Sequence, residues 1–246
     1  MVAIPMATAV IALFFALTLL DQFLERRRPY QAVWGVGMAL YGVASLLQAL
    51  WQVGVTGDVV FRLWYLTGGM LVAAYLGVGT VYLHAPRWVA HGVLVVLLAL
   101  TALGTALTFT TPFQEGADLI HLQGRAMASI DPQSQVRYFP PSVGGLTAFL
   151  NAAGSIFLVG GAAYSAVVFA RRRQAIYRVV SNALIAVGAF ISASGGTLER
   201  FDIPQPHTIA LLIGIVVIYA GFLRSREVIS AFRVPFARGV PPRAVP

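Results

Sequence analysis

The stretch SASGGTLERFDIPQPH, residues 192–207, joins two long apolar segments, and the rest of the chain is interpreted outward from it. Its titratable side chains follow directly after an apolar run: Glu199, Arg200, Asp202 and His207. Charged groups are rare within a bilayer, so they mark the place where a helix leaves it. We therefore interpret the stretch as the connection between two membrane helices. Gly195 and Gly196 permit close packing just before the charges.

The composition is that of a membrane protein. Hydrophobic residues make up 58% of the 246 residues and charged residues 11%, and the mean hydropathy is +0.78. A soluble domain carries about 25% charged residues. The low charge content, spread over most of the chain, predicts a surface that faces lipid and leaves no segment for a soluble catalytic domain.

Two residue types are missing, and each excludes a kind of chemistry. The chain has no cysteine, which excludes disulfides, thiolate catalysis and cysteine-ligated metal centres. All 17 basic residues are arginine, and retinal needs a lysine amine for its Schiff base, so covalently bound retinal is excluded. The cofactor is otherwise unknown, because lipids, quinones and carotenoids bind without a charged motif.

Apolar segments predict one all-α domain, a bundle of seven transmembrane helices over residues 1–223. The predicted helices cover residues 3–24, 32–54, 62–83, 92–109, 143–170, 179–198 and 206–223. Residues 224–246 are predicted to form a basic cytoplasmic tail, first amphipathic and then disordered.

The arginines predict the orientation. With the N-terminus outside, 13 arginines fall on the inner side, and only Arg62, Arg125, Arg137 and Arg200 fall outside. Basic residues concentrate on the cytoplasmic side, and an N-terminus outside with an inner C-terminus requires an odd number of helices. This predicts a multi-pass protein of the cell membrane, bacterial or archaeal. Its net charge of +8 then faces anionic lipid and not nucleic acid.

Polar side chains at membrane depth gather in the outer half. Tyr41, Ser45, Gln48 and Gln52 follow at spacings of four, three and four, which places them on one helix face. A carboxamide without a partner in hydrocarbon costs about 4 kcal/mol or more, so this face should point into the bundle. It is either a stripe of interhelical hydrogen bonds or the wall of a pocket.

The candidate ligand-binding residues share this outer position: Gln48, Gln52, Tyr65, Asn151, Ser192, Ser194, Glu199, Arg200 and His207. The alternative for Glu199 is a structural ion pair, for example with Arg62, while Arg200 reaches the surface. No catalytic residue is assigned, because the sequence has no serine elbow, phosphate loop or acidic cluster within a span.

The longest polar connection, residues 110–142, is predicted to be a lid over the pocket. Within it, residues 117–130 could form a helix on the membrane surface. Asp118 and His121 stand three positions apart and could share a metal, but no third ligand is evident and no metal site is assigned.

The plan is similar, in helix number, to the seven-helix sensory regions attached to bacterial kinases and cyclases, and to receptors generally. The predicted function is a receptor-like or small-molecule-binding membrane protein with an outward-facing polar pocket and no attached output domain. The alternatives are a passive carrier or channel for a small solute, or a structural subunit whose small-residue stripe Gly69, Ala73 and Gly77 faces another subunit. Expected partners are membrane lipids, a hydrophobic small molecule and a membrane protein.

Overall fold

The structure, a computed structural model, describes residues 2–123, 125–171, 176–198 and 206–224. The long helices of this part of the chain are α1 (Ala3–Arg26), α2 (Pro29–Gln52), α3 (Asp58–His84), α4 (Arg87–Thr110), α5 (Pro141–Arg171), α6 (Ile176–Leu198) and α7 (Pro206–Arg224). A short 3-10 turn, Leu119–Leu122, lies between α4 and α5. The predicted all-helical class is confirmed for these residues.

Six of the described helices, α1 to α5 and α7, are long and apolar enough to cross a bilayer. In α6 (Ile176–Leu198) the apolar stretch with described side chains is Val179–Gly195. Each spanning helix satisfies its own backbone hydrogen bonds, which a bilayer demands. This set of helices is typical of a multi-pass membrane protein.

The helices begin at or beside prolines, somewhat earlier than predicted for α2, α4 and α5. Pro29, Pro141 and Pro206 are the first residues of α2, α5 and α7, and α4 follows Pro86 directly. Proline suits the first helical position because its missing N–H would have no partner there. Helix α3 also begins early, at Asp58, because the Asp58 carboxylate accepts a hydrogen bond from Arg62 Nε at 2.6 Å and stabilises the first turn.

Six helices form a closed ring in the order α1, α2, α3, α5, α6, α7, and α7 returns to α1. Helix α4 lies outside this ring against α3 and α5, and it buries only a narrow seam, Ala90, Leu97, Gly104 and Thr108. Away from the N-terminus, apolar side chains close the ring around a void of only about 20 Å³. This apolar floor includes Phe15, Leu19, Met38, Leu76, Leu158, Ile215, Ile218 and Phe222.

The small-residue stripe of α3 packs against α5 within the chain. A Cβ added to Gly77 would lie 2.6 Å from the carbonyl oxygen of Gly154 on α5. A Cβ added to Gly154 would overlap the backbone of Ala73. The two helices therefore meet backbone to backbone, and this stripe is not free to face another subunit.

Residues Tyr65–Leu71 of α3 form a π-helical segment around Gly68 and Gly69. The side chain of Asn151 on α5 donates a hydrogen bond from Nδ2 to the Gly69 carbonyl. A π-helical turn inside an α-helix is uncommon and is frequently found at functional sites. Here it lies in the half of the ring that the apolar floor leaves open.

Residues 111–140, called the lid below, cover the end of the ring that holds the N-terminus. In the described residues of 117–130, which leave out 124, the predicted surface helix is not formed, and the regular structure is the 3-10 turn. Leu122 and Met127 are buried in the same apolar cluster as Trp51 and Tyr138. Leu122 and Met127 therefore pack under the lid, whereas Ile120 and Ile130 are 59% and 37% exposed.

Candidate ligand-binding cavity

A cavity of about 400 Å³ lies inside the ring, between the lid and the apolar floor. Small-molecule sites typically measure about 300–1000 Å³, so the volume is sufficient for a ligand. All six ring helices and the lid contribute to its walls. Along α3 the lining runs from Trp64 to Leu76, roughly 18 Å at about 1.5 Å per residue.

The structure brings five of the predicted candidates together around this cavity. They are Gln48, Tyr65, Asn151, Ser192 and His207. Each comes from a different helix: α2, α3, α5, α6 and α7.

The other four candidates are placed differently. Gln52 lies one turn beyond Gln48 and does not line the cavity. Ser194 turns away and donates a hydrogen bond to the Phe190 carbonyl of its own helix at 2.8 Å. Glu199 and Arg200 lie outside the described residues, and so does the predicted tail after Arg224.

The polar face of α2 serves both of the roles considered for it. Tyr41 donates a hydrogen bond to the Leu211 carbonyl at 2.8 Å, and its hydroxyl lies 3.5 Å from Ser192 Oγ, so it links α2 to α6 and α7. Ser45 lines the cavity. Gln48 accepts a hydrogen bond from the backbone N–H of Met127 through Oε1 at 3.2 Å, which attaches the lid to the cavity wall.

Two buried polar atoms of the cavity-lining residues have no hydrogen-bond partner among the described residues. They are Gln48 Nε2 and His207 Nδ1. An unpaired buried polar group costs about 1–3 kcal/mol, so such groups are normally paired by protein, ligand or ordered water. The His207 ring also packs closely on α6, because a Cβ at Gly195 would lie 2.9 Å from His207 Nδ1.

Arg137 of the lid lines the cavity, although sequence reasoning placed it only in the loop. Its Nη1 stands over Gly144, where an added Cβ would lie 3.7 Å away, and its charge acts on the Tyr65 hydroxyl. Within the described part of the chain, no carboxylate pairs with it. A sequence signal was available: Arg137 directly precedes an aromatic pair and the proline that starts α5.

Arg62, the other cation at this end of α3, is fully engaged by its surroundings. It pairs with Asp58 and donates from Nη1 to the carbonyls of Thr108 and Thr111, the latter at 2.8 Å. Its guanidinium also lies 4.5 Å from the centre of the Phe113 ring, a cation–π contact. Arg62 thus joins α3 to the end of α4, and a pair with Glu199 stays a prediction.

The lid is held together by Asp131, whose side chain is fully buried. Its carboxylate accepts hydrogen bonds from the backbone N–H groups of Asp118, Gln133 and Ser134 and from His121 Nδ1 at 2.8 Å. Burial by itself raises the pKa of this carboxyl, but the four hydrogen bonds outweigh burial and lower the pKa well below its usual range.

The lowered pKa of Asp131 gives its contribution a defined pH range. The carboxyl of an unfolded aspartate has a pKa of about 3.9. Because the pKa is lower in the folded protein, the stabilisation is fully present above about pH 4 and is lost only as the pH falls toward the folded value. The Asp118 carboxylate caps the Ile120 N–H, and His121 Nδ1 faces Asp131.

Comparisons with protein-family models, with curated proteins and with solved structures find no match to this chain. The functional interpretation therefore depends on the geometry of the cavity.

Replacing Gln48 by leucine is expected to loosen the lid, because the Met127 N–H loses its acceptor in a buried place, at a cost of about 1–3 kcal/mol. Hydrogen–deuterium exchange at peptides containing Met127 should become faster. Gln52→Leu is the matched control on the same helix. The buried Gln52 carboxamide has no hydrogen-bond partner among the residues that the structure describes, so its removal should leave exchange unchanged and maintain or raise the thermal midpoint. Equal exchange in both variants would contradict the role given to Gln48.

Proposed function

We propose that this protein binds a small molecule in the cavity, as a receptor-like seven-helix membrane protein. The observation that carries the proposal is the cavity between lid and floor, with unpartnered polar atoms on its lining residues. A concave, mostly apolar site with a few converging polar groups is the usual form of a small-molecule site.

In this proposal α6 is the seventh span, and the lid and N-terminus face the outside. The described arginines support this orientation. Those at the end of the ring opposite the lid are Arg26, Arg27, Arg28, Arg87, Arg171 and Arg224, while Arg62, Arg125 and Arg137 lie at the lid end. Basic residues favour the cytoplasmic side. The ligand then reaches the cavity from outside, and the C-terminus lies in the cytoplasm.

The apolar floor favours binding over passage. A passive carrier or channel needs a route through the ring, and the large side chains of Phe15, Leu19 and Phe222 occupy it. A receptor needs no such route, since a ligand that bridges helices can shift their packing. Tyr41 is placed for this role because it links α2 to α6 and α7 beside the cavity. A partner protein bound at the basic inner face would respond to this change in helix packing.

A variant that fills the cavity tests the proposal. Ser45 lines the cavity and is 6% exposed, whereas Val43 on the same helix is 40% exposed and points away from the ring. We expect Ser45→Phe to abolish binding and Val43→Phe to preserve it. The protein in nanodiscs would be screened against a metabolite library by thermal unfolding, and molecules that co-purify would be identified by mass spectrometry.

A second pair of variants separates loss of binding from loss of folding. Ser155→Phe fills the cavity from α5, and Ile156→Phe changes a neighbouring residue that is 69% exposed. The proposal requires at least one compound that raises the thermal midpoint of the wild type and of both exposed-site controls but not of the filled variants. If every stabilising compound acts equally on the filled variants, the cavity is not the binding site.

A further inference from the structure

We propose that the ligand is a small amphipathic anion, whose acidic group binds at Arg137 and whose apolar part lies against the floor. This inference rests on the proposed function and names the chemical class of the molecule that the cavity takes. A carboxylate, phosphate or sulfate group on a short apolar body fits the description.

The charge at the mouth of the cavity is positive. Asp and Glu are absent from the described lining residues, and the permanently charged side chain there is Arg137. The described residues offer Arg137 no carboxylate, whereas Arg62 nearby is satisfied by Asp58 and by backbone carbonyls. A guanidinium without a counter-ion at the edge of an apolar bundle favours an anion, which it binds through charge-assisted hydrogen bonds.

Other donors lie toward the same end. Gln48 Nε2 is a donor that no described residue pairs with, and the Gln48 side chain is held at the lid by the bond to Met127. The Tyr65 hydroxyl interacts with the Thr147 hydroxyl and with the charge of Arg137. Gln48 and Tyr65 line the cavity, so they add hydrogen bonds to an acidic group that enters under the lid, whereas the Thr147 hydroxyl donates to the Val143 carbonyl.

The opposite end of the cavity is apolar. Leu76, Leu158 and Ile218 line it and also belong to the apolar floor. The distance of roughly 16 Å along α3, at about 1.5 Å per residue, separates this end from Tyr65. A molecule that complements both ends is therefore charged at one end and apolar at the other. A uniformly polar solute would bury polar groups against the leucines and the isoleucine, which offer them no hydrogen-bond partner.

Octanoate and 1-octanol are the probes that test this inference, because they share the chain and differ in charge. Binding to the protein in nanodiscs of neutral lipid would be measured by the shift in thermal midpoint and by intrinsic tryptophan fluorescence, to which Trp64 in the cavity wall contributes along with the other three tryptophans. We expect octanoate to bind more tightly than octanol. Arg137→Gln should weaken octanoate binding about tenfold and leave octanol unchanged, and Arg137→Lys should restore part of the affinity.

Arg125→Gln is the matched control, since Arg125 is, like Arg137, an exposed lid arginine but does not line the cavity. It should bind octanoate like the wild type. If Arg125→Gln and Arg137→Gln lost the same octanoate affinity, the cause would be the overall charge of the lid, and the inference would be overturned. Equal affinity for octanoate and octanol, or no octanoate binding at all, would also overturn it.

The outcome also distinguishes failure of this inference from failure of the proposed function. If neutral compounds bind and Ser45→Phe blocks them while Arg137→Gln has no effect, the cavity is a binding site but its ligand is not an anion. If Ser45→Phe blocks no compound, the cavity itself is excluded as the site. A bound octanoate that Ser45→Phe displaces and Arg137→Gln weakens supports both.

Discussion

Replacing Gly154 by leucine is expected to abolish accumulation of the folded protein. A Cβ at this position would overlap the backbone of Ala73, and backbone atoms cannot rotate away as a side chain does. Overpacking of a core usually lowers stability by about 1–3 kcal/mol, and a clash with a helix backbone should cost at least the upper value of this range. Helices α3 and α5 would have to separate, which opens the ring and the cavity together. The measurement is the yield of monodisperse protein by size-exclusion chromatography in mild detergent.

Gly160→Leu is the control for this prediction. Gly160 lies on α5 as well, and a Cβ there meets no atom within 4 Å. The two variants make the same change in helix propensity and in hydrophobicity, so only the packing contact differs. Normal yield and normal thermal midpoint for Gly154→Leu would show that α3 and α5 do not meet at this glycine.

Replacing Asp131 by alanine is expected to open the lid while the helices remain folded. The change removes one buried acceptor and leaves three backbone N–H groups and the His121 ring without their partner. The four bonds are part-buried, and a hydrogen bond to a charged group contributes about 1.5–3 kcal/mol, so the lid loses several times the energy of an ordinary hydrogen bond. Trypsin cuts this lysine-free chain only after arginine, and the lid contains Arg125 and Arg137. Cleavage at these two sites should become at least about tenfold faster, since about 1.4 kcal/mol corresponds to tenfold.

Asp118→Ala is the matched variant. The Asp118 carboxylate caps the exposed N–H of Ile120, while its backbone N–H would still reach Asp131. Loss of such a cap costs about 1 kcal/mol, so cleavage should change little. The prediction fails if the two variants are cleaved at the same rate. It also fails if Asp131→Ala unfolds the helices, as Gly154→Leu is expected to do.

The helical bundle was the part of this structure that sequence predicts best. Long apolar segments bounded by arginine and proline leave few alternatives to membrane helices. The face of α2 was also predictable, because Tyr41, Ser45 and Gln48 repeat with the period of a helix and carry polar groups that need partners. The neighbours of these residues on other helices could be predicted only from their expected depth in the membrane. That criterion also selected Gln52 and Ser194, and neither lines the cavity.

The position of α4 and the role of Arg137 could not be predicted from sequence. An apolar helix has the same composition whether it faces lipid or other helices, so nothing in α4 indicates that it lies outside the ring. Arg137 belongs to an irregular segment without a period, and its position depends on contacts distant in sequence, such as the bond between Met127 and Gln48. The lid's own centre, Asp131, gave no signal beyond being one of several acidic loop residues.

The π-helical segment Tyr65–Leu71 has a consequence for how α3 serves two surfaces. Each residue of an α-helix advances about 100° around the axis, so an extra residue accommodated in a wide turn rotates everything that follows by about that angle. Before the segment, α3 presents Arg62 to α4; after it, α3 presents Gly77 to α5. The π-helical segment therefore lets the faces of α3 before and after it point in directions that a continuous α-helix would not give. Deleting one residue of the segment would keep α3 helical but rotate the face that carries Arg62 relative to the face that carries Gly77. The length of the segment is therefore under structural constraint.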